Sequence, residues 1–193
     1  MEFLQTHLLE ICGVVFGLLY LIQELGQRRA MWITGMIMPA ISLFVYYRAG
    51  LYADFAIDIY YLLAAVYGFI AWRRRGPSKE MIPVSRTPVA KLPVLAAAFV
   101  VSWALIYFVL VSFTDSNVPV ADSFTTALSI VALWMLSRKW IEQWWVWAVV
   151  DAVSAALYIY KGIPFYAGLY ALYTLVAVYG YFRWRKSLSP EER

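Results

Sequence analysis

The chain of 193 residues has one cysteine, Cys12, and one histidine, His7. A disulfide needs two cysteines and a zinc site needs three or four Cys or His ligands, so both chemistries are excluded. Charge is scarce too, at 15% of residues, against roughly 25% in ordinary soluble domains. No lysine lies inside a long apolar run: Lys79, Lys91, Lys139, Lys161 and Lys186 all fall between or at the ends of such runs. A retinal-type receptor, which needs a helix-interior lysine for its Schiff base, is thereby set aside. There is no P-loop pattern, so the chain has no ATPase of its own to drive a cycle. Nor is there a grouped nucleophile, base or metal cluster, and neither an enzyme nor a cofactor is expected. The formal charge of +4 does not predict a nucleic-acid partner, because the basic residues separate apolar runs and do not form a basic face. The opening MEFLQTHLLE carries acidic residues where a signal peptide has Lys or Arg, so the first apolar segment is expected to be retained.

What is present is apolar: 63% of residues are hydrophobic and 18% aromatic. A membrane-spanning helix needs about 20 such residues, and seven stretches qualify, near 5–24, 31–48, 53–72, 93–113, 121–137, 143–160 and 163–182. The sequence therefore predicts an all-α integral membrane protein with seven spans and the bilayer as its solvent. With the N-terminus outside and the C-terminus inside, all of the 16 Lys and Arg residues except Arg48 and Lys161 fall on the inner side, as expected for cytoplasmic loops. The long polar segment RRRGPSKEMIPVSRTPVAKL, at 73–92, reads as a cytosolic connector.

AVYGFIAWR at 65–73 recurs as AVYGYFRWR at 177–185, an offset of 112 residues. Carried back without a gap, the same offset pairs Trp32 with Trp144, Ala40 with Ala152, Ser42 with Ser154, Tyr46 with Tyr158, Gly50 with Gly162 and Tyr61 with Tyr173. The chain thus divides into a three-helix repeat (1–75), a linker and fourth helix (76–114), a second three-helix repeat (115–185) and a tail (186–193). One crossing separates the copies, so they run parallel through the membrane. This three-plus-one-plus-three plan, like that of the SWEET sugar carriers, is one that small-molecule transporters use, with substrate near the midplane between the halves.

Polar residues inside apolar runs mark the candidate site, because a buried carboxylate costs about 2.5 to 3.5 kcal/mol on insertion scales. Asp151 stands within WWVWAVVDAVSAALYIY and replaces Pro39 of the first copy. Trp144, Trp147 and Asp151 follow helical spacing, so two indoles and a carboxylate fall on one face, a surface suited to a planar cation. Trp144 and Trp145 read equally as interfacial anchors, the deeper Trp147 less so. Asp58 lies about a turn deeper in helix 3 than Asp54, which is expected at the boundary. Asp122 or Ser123 is expected to cap helix 5, with Thr126 and Ser129 a turn further in. Tyr61 and Tyr173, equivalent in the two copies, close the site or pack helices. Glu10 and Glu24 read as boundary residues, and Pro39 is expected to kink helix 2.

These residues resemble the Pnu family of vitamin transporters, whose PnuC branch carries nicotinamide riboside and whose PnuT branch carries thiamine. The resemblance rests on LYAD and YGFIAW within 51–72 and on DSFTTALSIVALWMLSRKWIEQWWVWAVVD at 122–151. The latter contains W-x-x-W-x-x-x-D, similar to the family's W-x-x-W-x-x-x-N. It implies ligand stacking on Trp144 and Trp147, polar contacts from Asp151 and Asp58, and facilitated diffusion into a bacterial cell through its inner membrane. A cytosolic vitamin kinase would then trap the substrate. The two aspartates stand where riboside carriers tend to have amides, so thiamine rivals nicotinamide riboside. A vitamin-binding receptor that does not translocate is the competing class.

Overall fold

The computed structural model describes residues 2–49, 52–73 and 82–190, with the backbone alone at 2–13, 38, 45, 49 and 52–54. The side chains of His7, Glu10, Cys12 and Asp54, and the residues Gly50, Arg74, Arg75, Lys79 and Arg193, lie outside the described residues. Among those described, 81% are helical and none forms a strand. The helices are α1 (Glu2–Leu25), α2 (Ala30–Ala49), α3 (Tyr52–Ala71), α4 (Leu92–Phe113), α5 (Pro119–Ser137), α6 (Gln143–Tyr160) and α7 (Pro164–Arg185), with a short 3-10 turn at Val89–Lys91. They coincide within a few residues with the seven apolar stretches. Helices satisfy every backbone N–H and C=O internally, as a chain in lipid requires. Four segments have both the length and the apolar character to cross a membrane: Ala30–Arg48, Val89–Phe113, Pro119–Ser137 and Pro164–Arg185.

Proline sits in the first turn of α4, α5 and α7, where its missing N–H costs nothing. α2 continues from Ala30 to Ala49 through Pro39. Helix ends follow a repeated rule. α1 closes with Arg28 N–H donating to the Gln23 carbonyl at 2.8 Å and Gln27 N–H to the Glu24 carbonyl at 2.9 Å. α5 closes with Trp140 N–H on Met135 at 3.1 Å and Lys139 N–H on Leu136 at 2.9 Å. Both are Schellman turns, and both put a non-glycine residue in the left-handed region, Gln27 at φ 53° and Lys139 at φ 56°. The 112-residue offset relates every one of these positions. α6 ends in the same motif, with Gly162 at φ 71° as its left-handed residue.

The chain forms two compact units, Met1–Ile82 and Pro83–Arg193. In the first, α2 packs against α1 and α3; in the second, α4 packs on α5, α5 on α6 and α6 on α7. Each unit has the same aromatic knot. In the first, Trp32 of α2 lies against Gly68 of α3 and meets Trp72 edge-on at 5.6 Å and 86°. In the second, Trp144 of α6 lies against Gly180 of α7 and meets Trp184 at 5.5 Å and 87°. A Cβ at Gly180 would fall 2.6 Å from the Trp144 ring, so glycine is required for this close approach. All four indoles are buried. Such contacts hold helices together by close packing, the force that remains between helices in lipid.

Part of the polar connector is fixed on the second unit. Ser85 donates its N–H to the Lys139 carbonyl at 3.2 Å and accepts the Ile141 N–H at 2.9 Å. Thr87 gives both its N–H (2.7 Å) and its hydroxyl (2.8 Å) to Glu142 Oε2, and Arg86 lies 3.5 Å from Oε1. Val84 and Lys139 are buried beside this strap. Burial lowers the Lys139 ammonium from the ordinary lysine range to about 8, because a desolvated charge is disfavoured.

Candidate substrate site

Asp151 is the ninth of the 18 residues of α6, so it sits about 12 Å from either helix end at 1.5 Å per residue. It is buried, at 8% exposure, and makes no hydrogen bond or ion pair among the described residues. Tyr173 of α7 interacts with it electrostatically. One helical turn earlier, Trp147 is half-buried, and its Nε1–H is buried with no acceptor. Buried polar groups are nearly always satisfied, and leaving one unmade costs about 1 to 3 kcal/mol. An indole donor and a carboxyl group, one turn apart on one helix, fit a ligand with an acceptor for Trp147 and a positive or donor group for Asp151.

The other candidate residues fall out differently. Trp144 is 1% exposed and packs in the knot against Gly180 and Trp184, with its own Nε1–H also lacking an acceptor. Ser123 is fully buried; its oxygen accepts the Trp103 indole N–H at 3.1 Å and its hydroxyl donates to the Val120 carbonyl at 3.0 Å, which ties α4 to α5. The Thr126 hydroxyl returns to the Asp122 carbonyl at 2.8 Å and that of Ser129 to Thr125 at 2.9 Å. Neither Asp122 nor Ser123 caps α5: the cap position is Val118, with no side-chain bond. The helix starts earlier than expected because Pro119 opens it, leaving Asp122 inside the first turn. Asp58 and Tyr61 are half-buried on α3 of the first unit. Glu24 is only 2% exposed, so it is a core residue of that unit, not a boundary one.

Helix-face arithmetic also missed a run of tyrosines. Tyr158 stacks with Tyr166 (5.3 Å, 26°) and Tyr170 (5.2 Å, 21°), and Tyr170 meets Tyr173 edge-on at 5.7 Å. The signal was present as tyrosines at i, i+4 and i+7 along α7.

The family model described as nicotinamide mononucleotide transporter matches residues 7–186. The chain belongs to this family. Among its relatives are the nicotinamide riboside transporters PnuC of Escherichia coli K12, 22% identical over 93% of this chain and 85% of that protein, and of Neisseria mucosa, 25% identical over 80% and 63%. The riboflavin/roseoflavin transporter RibM of Streptomyces davaonensis is 24% identical over 91% and 83%. A crystal structure of the vitamin B3 transporter PnuC has a similar fold, with TM-score 0.67, 24% identity and coverage of 90% of this chain and 78% of that one. The Pnu resemblance read from W-x-x-W-x-x-x-D is therefore shown. This Pnu protein is an all-helical, multi-pass membrane protein of a vitamin-transporter family. The known members are transporters and not enzymes.

Proposed function

We propose that this Pnu protein takes up a planar cationic B-vitamin precursor, nicotinamide riboside before thiamine, by facilitated diffusion across a bacterial inner membrane. All seven helices would cross in a three-plus-one-plus-three arrangement with the N-terminus outside, and a cytosolic kinase would phosphorylate the vitamin and prevent its return. The observation that carries this reading is the Asp151 carboxylate, buried at the middle of α6 one turn from Trp147, whose indole N–H, like that of Trp144, has no acceptor. An indole face attracts a cation by about 0.5 to 2 kcal/mol. A buried carboxylate rejects ligands that leave it unpaired, which favours a cation over the uncharged flavin that RibM is named for.

A binding titration of nicotinamide riboside, thiamine and riboflavin tests the substrate class. The cations should bind to the wild-type protein and lose at least about tenfold in affinity to Asp151→Asn, while riboflavin gains or stays unchanged. Equal affinity of the variant and wild type for all three would remove Asp151 from the site. Uptake into liposomes that contain only this protein and an enclosed kinase tests translocation; tight binding without accumulation would assign a receptor instead.

A further inference from the structure

At the far end of the second unit from the α5–α6 turn, Asp122 of α5 is held from two sides. Its Oδ1 lies 3.6 Å from Lys161 Nζ, and its Oδ2 accepts the Ser116 hydroxyl at 2.9 Å. Both charged side chains keep about a third of their surface exposed, 29% for Lys161 and 33% for Asp122. Lys161 follows the last residue of α6, and one turn back Tyr158 feels the charge of Asp122. Tyr158 is the centre of the tyrosine stack: Tyr166 and Tyr170 lie against it, and Tyr170 leads to Tyr173, the residue that interacts with Asp151. Ring contacts thus join Tyr158, which feels the charge of Asp122, to Tyr173, which feels that of Asp151.

The first repeat shows that helix packing does not demand this set of residues. Tyr46 is equivalent to Tyr158, but Asp54 and Asp58 stand where the second copy has Tyr166 and Tyr170, and Ala49 stands in place of Lys161. α2 and α3 pack on each other with two aspartates in place of those two tyrosines. The residues of the stack and of the ion pair recur only in part in the sequence of the first copy, and the full set stands in the unit with Asp151.

We propose that Asp122, Tyr158 and Tyr166 form a recruitment site for a planar organic cation, and that Lys161 occupies it as a displaceable counter-cation until such a substrate arrives. A carboxylate beside aromatic faces is the composition that binds such cations, and an exposed ion pair contributes so little that exchange is cheap. The cation then passes along Tyr170 and Tyr173 to Asp151. On the proposed orientation this end faces outside. The inference rests on the proposed transport of a cationic vitamin and adds to it a separate entry site.

Initial rates of uptake of labelled nicotinamide riboside and of thiamine into liposomes, with the full-length protein, provide the test. Asp122→Asn should raise KM for the transported cation by about three- to tenfold with kcat nearly unchanged. Lys161→Gln should lower KM at low ionic strength, and added salt should erase the gain. Tyr158→Leu should raise KM, whereas Tyr158→Phe, which keeps the ring, should restore it. Opposite shifts from Asp122→Asn and Lys161→Gln support the site; shifts in one direction, or none, overturn it. If these variants have no effect while Asp151→Asn loses the cation, the entry site alone is wrong. If neither vitamin is bound or transported by the wild-type protein, the cationic-vitamin reading and the entry site fall together.

Discussion

The two units share the parts that hold helices together and differ in the residues around Asp151. Trp32, Gly68 and Trp72 recur as Trp144, Gly180 and Trp184 with nearly the same ring geometry. The Gln27 turn recurs as the Lys139 turn, down to its hydrogen bonds. Against this constancy, Gly35 becomes Trp147 and Pro39 becomes Asp151. In the first unit a Cβ at Gly35 would be 3.0 Å from the Tyr20 ring; in the second, the position of Tyr20 is Ala132. The bulky aromatic has moved from the first helix of the repeat to the second, where it stands one turn from the aspartate. The kept tryptophans and glycines serve packing, and the changed positions 147 and 151 are those on which the proposed site rests.

The largest effect expected from breaking this comparison is at the knots. Gly180→Ala should overpack Trp144 and cost about 1 to 3 kcal/mol, and Trp144→Ala about 3 to 5 kcal/mol, read as lowered melting temperature in detergent. Gly68→Ala should act alike in the first unit. Trp147→Phe should do the opposite, leaving the melting temperature near that of wild type and weakening vitamin binding. If Trp144→Phe proved harmless to stability and damaging to binding, the division of labour between the two tryptophans would be wrong.

Next in size is Asp151→Pro39-like loss of charge, best made as Asp151→Leu. The uncompensated carboxylate should cost stability, so the variant should melt at or above the wild-type temperature while cation binding disappears. A lower melting temperature would mean that Asp151 holds the fold.

Much of the fold was legible in the chain because apolar length is a local signal. The seven runs locate the helices, and the 112-residue offset locates the repeat. Trp144 shows what spacing leaves out. Spacing places it on the face of Asp151, but spacing does not say where along that face α7 comes close; Gly180 decides that, and only the recurrence of tryptophan, glycine and tryptophan together reveals it. The strap at Ser85 was hidden for another reason. Its bonds to Lys139 and Ile141 are made by backbone groups, which any residue carries. The early start of α5 turned on Pro119, whose effect removed the cap expected of Asp122.

A smaller effect separates the two turns by pH. Below about 8 the Lys139 ammonium is charged in both folded and unfolded chains, and its burial penalty is fully present. Between there and the ordinary lysine value of roughly 10.4, the folded chain gives up the proton that the unfolded chain keeps. The unfolded state then binds more protons, so stability rises with pH across that window. Lys139→Met should therefore exceed wild type in melting temperature most below pH 8, with the gap narrowing toward pH 10. A constant gap would show that burial does not perturb this lysine.

The smallest effect is expected at the left-handed residues themselves. A non-glycine side chain in this conformation costs about 1 to 2 kcal/mol, and glycine returns part of that gain as unfolded-state entropy. Gln27→Gly, at a half-buried turn, should stabilise the protein by at most about 1 kcal/mol. Lys139→Gly relieves the same backbone but removes a side chain that is 1% exposed beneath the strap, leaving a cavity whose cost exceeds the relief. One substitution at equivalent positions should thus change sign between the copies. Equal stabilisation at both would mean that the strap packs on the α5–α6 backbone alone and takes nothing from the lysine stem.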